Sequence, residues 1–254
     1  TNYNMYPILF KIGPVTIYTY GFFIFLGVLS GYFVSQKRAK EVGIDKQQFS
    51  NIFFWTLITG FLGARITYII VSWQTFIKAP LEIALSRSGF VFYGGVLFGL
   101  FYLLFFAQKH RIKFLKITDI FALATPLAHS FGRIGCFFYG CCYGKITNSW
   151  IGIKFPPGSP AGLENARVIP TQLLSAGFLF ILFLFLFTIR NKITRIGKLT
   201  GYYLFTYSLF RFIIEFFRGD PRGSFLVFST SQWISIFFVF VAVIILSKKQ
   251  AKYN

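Results

Sequence analysis

The sequence predicts an all-α polytopic membrane protein: one transmembrane domain over residues 1–254 with seven transmembrane helices, the amino terminus outside and the carboxy terminus cytoplasmic. Composition is the first reason. Of 254 residues, 55% are hydrophobic, 22% aromatic and only 13% charged, and Phe is used 37 times. A water-soluble domain of this length cannot hide so much apolar surface, so a bilayer must serve as solvent. The second reason is spacing, because apolar stretches long enough to cross about 30 Å of hydrocarbon recur along the chain. The third is where the net charge of +19 sits. Fifteen of the 26 Lys and Arg fall between residues 37–46, 109–116, 190–198 and 248–252, each cluster between or after apolar runs. That is the positive-inside pattern, and it excludes a nucleic-acid-binding face.

Residues 1–16 read as an amphipathic lead-in of mixed polarity with one lysine, Lys11, which is unlike a cleavable signal peptide. Span one, 17–36, ends in the first basic cluster. Span two, 50–72, returns outward and carries Gly60, Gly63 and Arg65. Residues 73–89 read as a polar external loop. Span three, about 90–107, opens on Tyr93-Gly94-Gly95 and runs to the second cluster. Span four, about 117–136, leads outward from Asp119 through Pro126 and His129 to Arg133. The interval 137–169, rich in Gly, Pro and Asn, predicts a small external head. Span five, 170–189, is a Phe-Leu run ending in the third cluster. Span six, 199–217, carries Tyr207, Arg211 and Glu215, and an external turn over 218–224 leads into span seven, 230–247. Seven crossings put all four clusters on one side; an even number strands one of them. No internal repeat is visible, which argues against a transporter built from inverted halves.

Three arginines remain in or at the outer edge of spans: Arg65, Arg133 and Arg211. Each costs roughly 2.5 to 3.5 kcal/mol at mid-bilayer, less toward the interface. Only Glu215 and Asp119 could offset them within the membrane, so these positions are short of anion. Tyr207, Arg211, Glu215 and Arg218 recur every three or four residues and share one helical face. Two readings stay open for that face: a structural ion pair between packed helices, or part of a site for an anionic ligand. In a membrane protein the common phosphate anion is a lipid head group, which arginine forks bind well.

His129 lies four residues before Arg133 and so on its face, either as a packing residue or as the best proton acceptor in the chain. Tyr93 reads as an interfacial anchor or a substrate contact, and the adjoining Gly94 and Gly95 as a place where backbone comes close to a ligand. Gly27-x-x-x-Gly31 and Gly60-x-x-Gly63 read as helix contacts. The three Cys (136, 141, 142) are too crowded for a disulfide framework, and Cys-x4-Cys-Cys with no His or acid nearby is a poor zinc pattern. No metal and no cofactor are expected.

Several stretches, in order and over nearly the whole chain, resemble one family. They are Tyr20-Gly21, Gly63-Ala-Arg65, Tyr93-Gly-Gly95, Gly132-Arg-Ile-Gly-x-Phe followed by Gly144, Pro170-Thr-Gln-Leu173, and Tyr207-Ser-Leu-Phe-Arg-Phe-Ile-Ile-Glu-Phe-Phe-Arg218. The chain resembles the bacterial prolipoprotein diacylglyceryl transferases. The resemblance implies a seven-span inner-membrane enzyme with its active site toward the extracytoplasmic side. Such an enzyme moves the diacylglyceryl group of phosphatidylglycerol onto the lipobox cysteine thiol of a preprolipoprotein signal-peptide segment and releases glycerol phosphate.

The resemblance further implies that Arg133 and Arg211 hold the head group, with Tyr20, Tyr207, Glu215, Arg218 and Gly144 lining or bracing the cavity. Arg65, Gly94, Gly95 and Cys136 join the substrate-binding set by position. Three residues depart from the family pattern: Tyr93 stands where His is usual, Cys136 where Asn is usual and Cys141 where an acid is usual. His129 is therefore expected to take the proton and Tyr93 to orient substrate. The departures leave room for a relative with a different acceptor, and the arginines alone for a transporter or binding protein of anionic lipid.

Overall fold

The computed structural model describes residues 7–85, 89–220, 223–248 and 251–253. The first residues of the lead-in, part of the 73–89 loop, Pro221 and Arg222 of the last turn, and Lys249 in the final basic cluster lie outside the described residues. The chain divides into two compact units, Thr1–Ser35 with Asp119–Asn254, and Gln36–Thr118.

A hairpin opens the first unit: β1 (Ile8–Ile12) pairs antiparallel with β2 (Val15–Tyr18). Gly13, at φ +54°, makes the two-residue turn that a side chain would strain. The described part of the expected lead-in is thus a β-ribbon. α1 (Thr19–Glu41) follows. α2 (Lys46–Val71) starts where the Asp45 carboxylate accepts from the amides of Gln47, at 2.8 Å, and Gln48. The stretch expected as a plain loop instead forms two short helices, α3 (Trp73–Lys78) and α4 (Pro80–Leu85), parted at Ala79-Pro80. α5 (Phe92–Lys109), α6 (Phe114–Tyr139), α7 (Thr171–Ile189), α8 (Lys198–Glu215) and α9 (Thr230–Ser247) complete the long helices.

Among the described residues five helices, α1, α2, α5, α7 and α9, are long and apolar enough to cross a membrane. α6 and α8 are as long but carry Asp119, His129 and Arg133, or Lys198, Arg211 and Glu215. The apolar helices turn large side chains outward: Phe101 is 66% exposed and Phe240 65%. Such a surface is stable only against another apolar phase.

Within the unit Gln36–Thr118, α2 and α5 pack closely because glycines allow it. A Cβ on Gly94 would stand 2.1 Å from Thr67 Oγ1, and one on Gly95 3.0 Å from the Gly60 carbonyl oxygen. In the other unit, Gly27 of α1 lies so near the backbone of Ala128 in α6 that a Cβ would come within 2.7 Å of its oxygen. Here α7 packs on α8 and α8 on α9. Leu123, Leu182, Leu186 and Leu199 form a buried cluster between α6, α7 and α8.

Asp119, fully buried, accepts from the amides of Gly197 at 2.6 Å and Thr200 at 2.7 Å, from the Thr200 hydroxyl at 2.7 Å and from the Tyr253 hydroxyl. One carboxylate therefore satisfies the open amides at the start of α8, where Gly197 at φ +85° offers no side-chain cap.

The 137–169 interval is a small head of short elements rather than a span. β3 (Ile153–Lys154) pairs with β4 (Arg167–Val168), and a 3-10 turn covers Pro160–Glu164. Its own core is Tyr143, Phe155, Ala161 and Val168, with Phe137 edge-on to Phe155 at 5.6 Å. Gly144 and Arg218 bridge the head to the end of α8. Two strands of two residues, β5 (Ser224–Phe225) and β6 (Phe228–Ser229), turn the chain into α9.

Candidate active site

A cleft between α6, α7 and α8 is lined by His129, Arg133, Ser175, Leu179, Tyr207, Phe210, Arg211 and Ile214. The sequence places these groups together through two i,i+4 pairs. On α6, Arg133 Nε donates to His129 Nε2 at 3.1 Å. A guanidinium cannot accept, so this bond fixes the imidazole nitrogen as an unprotonated acceptor. On α8, Arg211 Nη1 lies 2.6 Å from Glu215 Oε2, and its Nη2 donates to Ser231 Oγ of α9 at 2.8 Å. Glu215 also accepts from the Ser229 hydroxyl at 2.9 Å. Tyr207 sets its ring edge-on to His129, 5.5 Å between centroids, and stacks on Tyr203.

The two arginines differ. Arg211 is held by a carboxylate and a hydroxyl. Arg133, in contrast, is bonded through Nε to His129 alone, and neither of its terminal nitrogens donates to any described residue. Two guanidinium nitrogens thus stand in the lining of a half-buried cleft with no acceptor among the described residues, which is costly unless an anion docks there. The cleft is tight, 190 Å³ counted to its mouth, so a head group fits only once side chains part.

The head and the end of α8 brace this region. Gly144 is pinned between Ile169 and Phe217: a Cβ there would come within 2.7 Å of the oxygens of both. Its amide donates to Ile169, and the amide of Lys145 to Phe217. Arg218, buried, is clamped by Asp220 through two bonds of 2.8 Å. Gly144 and Arg218 are therefore braces rather than groups in the cleft. Tyr20, 43% exposed, stands near the end of α6, its ring 6.3 Å from that of Tyr139.

Cys136, Cys141 and Cys142 come together, their sulfurs all within 4.8 Å of one another. The neighbouring Cys136 and Cys141 thiols, with Arg218 and Arg133 close by, hold the Cys142 thiol below its usual range.

In the unit Gln36–Thr118, Arg65 donates to the carbonyl of Gly89 at 2.9 Å and to that of Ile83, and it lies over the rings of Tyr68 and Phe90. It thereby ties Ile83 of α4 and Gly89 to α2. Gly94 and Gly95 meet α2 rather than open space, and Tyr93 beside them is 41% exposed.

Several partners were not expected from sequence. Ser231 and Ser229 serve Arg211 and Glu215 from α9, and Asp220 serves Arg218. A signal for Ser229 exists: Ser229-x-x-Gln232 is a capping box, and it is formed, with both reciprocal bonds present. Ser175, which lines the cleft from α7, left no such mark.

Comparison with known proteins gives a consistent result. Residues 7–248 match the family model described as prolipoprotein diacylglyceryl transferase. A protein of Clostridium perfringens named phosphatidylglycerol--prolipoprotein diacylglyceryl transferase 2 is 39% identical over 248 residues, covering 96% of each chain. The transferase of the same name without the numeral from Clostridium tetani is 37% identical over 241 residues, covering 95% of this chain and 96% of the relative. That of Rickettsia bellii is 34% identical over 223 residues, covering 85% and 83%.

Proposed function

Given that the chain belongs to the prolipoprotein diacylglyceryl transferase family, we propose that it is a transferase that takes the diacylglyceryl group from phosphatidylglycerol and attaches it to the lipobox cysteine of a preprolipoprotein. The observation that carries this reading is Arg133. Its unpartnered terminal nitrogens and the Arg211 guanidinium line one cleft, and together they suit a phosphodiester. In this reading all seven long helices cross the bacterial inner membrane, with the basic clusters in the cytoplasm and the 137–169 head outside. The cleft then opens toward the extracytoplasmic side, within reach of both a lipid and a signal-peptide segment.

The chemistry is a displacement at carbon. The acceptor cysteine loses its proton, its sulfur attacks the glyceryl carbon that bears the phosphate, and the carbon–oxygen bond breaks to release glycerol phosphate. Negative charge grows on the leaving phosphate, where two fixed guanidinium groups act most strongly. Free thiol has pKa about 8.5 and is a poor nucleophile at neutral pH, so a proton acceptor helps. His129 takes that part. In the resting cleft its Nε2 lone pair is occupied by Arg133; a phosphate that draws the guanidinium away frees that nitrogen to accept the thiol proton. Tyr207, edge-on to the imidazole, keeps the ring in place, and Tyr93 orients the substrate.

The purified chain in lipid nanodiscs, given phosphatidylglycerol labelled in its acyl chains and a lipobox peptide, should label the peptide and release one glycerol phosphate per label. An unlabelled peptide with lipid and enzyme intact contradicts the reading.

A further inference from the structure

The only three cysteines in the chain converge at the end of α6, with all three sulfurs within 4.8 Å of one another. The backbone is committed to this arrangement. Gly140, at φ +79°, turns the chain back on α6, and its amide donates to the Cys136 carbonyl at 2.9 Å. Cys142 sits at φ +65°, a region that disfavours any residue with a Cβ. The strained turn is held from the first turn of α7: Thr171 Oγ1 donates to the Cys142 carbonyl at 2.8 Å, and Gln172 Nε2 to that of Cys141 at 2.7 Å. Both of those side chains are fully buried. Four hydrogen-bonded or constrained positions thus bring three thiols to one point, outside any use the proposed reaction makes of them.

A disulfide explains the cluster poorly. Consecutive Cα atoms are about 3.8 Å apart, short of the usual disulfide range, so Cys141 and Cys142 do not bridge each other without distortion. Pairing either with Cys136 leaves the third sulfur idle. A metal uses all three. Zinc–sulfur bonds of about 2.3 Å in tetrahedral geometry put sulfurs about 3.8 Å apart, within the observed envelope. Sulfur ligands alone select soft or borderline d10 ions over magnesium or calcium. Three thiolates on a divalent ion leave one negative charge, and Arg133 and Arg218 stand close enough to offset it. No described carboxylate or imidazole joins the group, so the fourth position is open to water or an external ligand.

We propose that Cys136, Cys141 and Cys142 form a three-thiolate site for a zinc ion with one open coordination position. Binding replaces three thiol protons with one divalent ion and ties the end of α6 to the 141–142 turn.

The test does not depend on the transferase reaction. The full chain in nanodiscs is fully reduced, kept free of oxygen and titrated with cobalt(II). A sulfur-to-cobalt charge-transfer band should rise and saturate at one equivalent, then disappear on adding one equivalent of zinc, since no other cysteine exists to produce it. C136S, C141S and C142S should each weaken zinc binding more than about tenfold. Zinc should also raise the thermal midpoint of the wild type and not of C141S. No charge-transfer band at saturating cobalt, with three thiols still titratable by a thiol reagent, overturns the site. Because that readout uses the wild type, a variant that fails to fold does not blur it.

Discussion

His129 and Arg133 show how much one hydrogen bond can decide at the scale of the residue. The imidazole proposed to take a proton accepts from the guanidinium proposed to bind the phosphate, so in that reading one group releases the other. His129→Gln keeps an acceptor for Arg133 but removes basicity. We expect turnover to fall by about 10²-fold or more with lipid affinity little changed, read as a drop in kcat without a rise in KM. Unchanged turnover from pH 6 to 8 rules out the role. Tyr143, in the head, tests a different interaction. Its hydroxyl donates to Glu164 Oε1 at 2.8 Å, and that bond, with burial, pushes its pKa up to about 12. A raised folded-state pKa means that the bond stabilises fully below the ordinary tyrosine value near 10 and is lost as pH rises through about 12. Tyr143→Phe should therefore cost about 1 kcal/mol at neutral pH, at the low end because Glu164 is exposed, with the gap from wild type closing above pH 11 in thermal unfolding. The sequence pointed to Arg133, Arg211, Tyr207 and His129 because charge in an apolar run is conspicuous. Ser175 and Ser231 were not legible, since a serine on a helix carries no such signal until its partner is known.

The element that depends most on a distant residue is α8. Asp119 caps it from 78 positions away in sequence, which no local pattern could announce. Asp119→Ala leaves the Gly197 and Thr200 amides and the Thr200 hydroxyl without this acceptor. A loss on the order of 3 kcal/mol in unfolding free energy is expected, with Asp119→Asn recovering part of it. Equal thermal midpoints for wild type and Asp119→Ala would show that the cap is not stabilising. The long helices themselves were legible, their limits within a few residues, because hydropathy and basic clusters mark both ends. The β1–β2 ribbon and the short helices α3 and α4 were not, since segments of four to six residues leave too few periods to separate strand, helix and loop. For Gly94 and Gly95 the sequence signal is likewise incomplete. A small residue signals a close approach, not what approaches, and in the structure it is the backbone and Thr67 of α2.

For the whole molecule, the outward-facing phenylalanines and the four basic clusters argue for a chain solvated by lipid and oriented by charge. α6 and α8 fall short of the apolarity of a lone span because they carry the cleft, as expected when charged groups face a bundle interior. The proposed seven crossings predict that single cysteines placed at Asn148 and at Lys192, in a background lacking the native three, react from opposite sides of intact cells; labelling from the same side excludes the topology.

The central claim, that two guanidinium groups in one cleft hold a lipid phosphate, is tested most directly by the rate of diacylglyceryl transfer from labelled phosphatidylglycerol to a lipobox peptide, measured for wild type, R133K and R211K. Lysine keeps the charge but loses the two-pronged fork, so the account predicts transfer at least about 100-fold slower in each variant, with the protein folded. Transfer within threefold of wild type in either variant contradicts it.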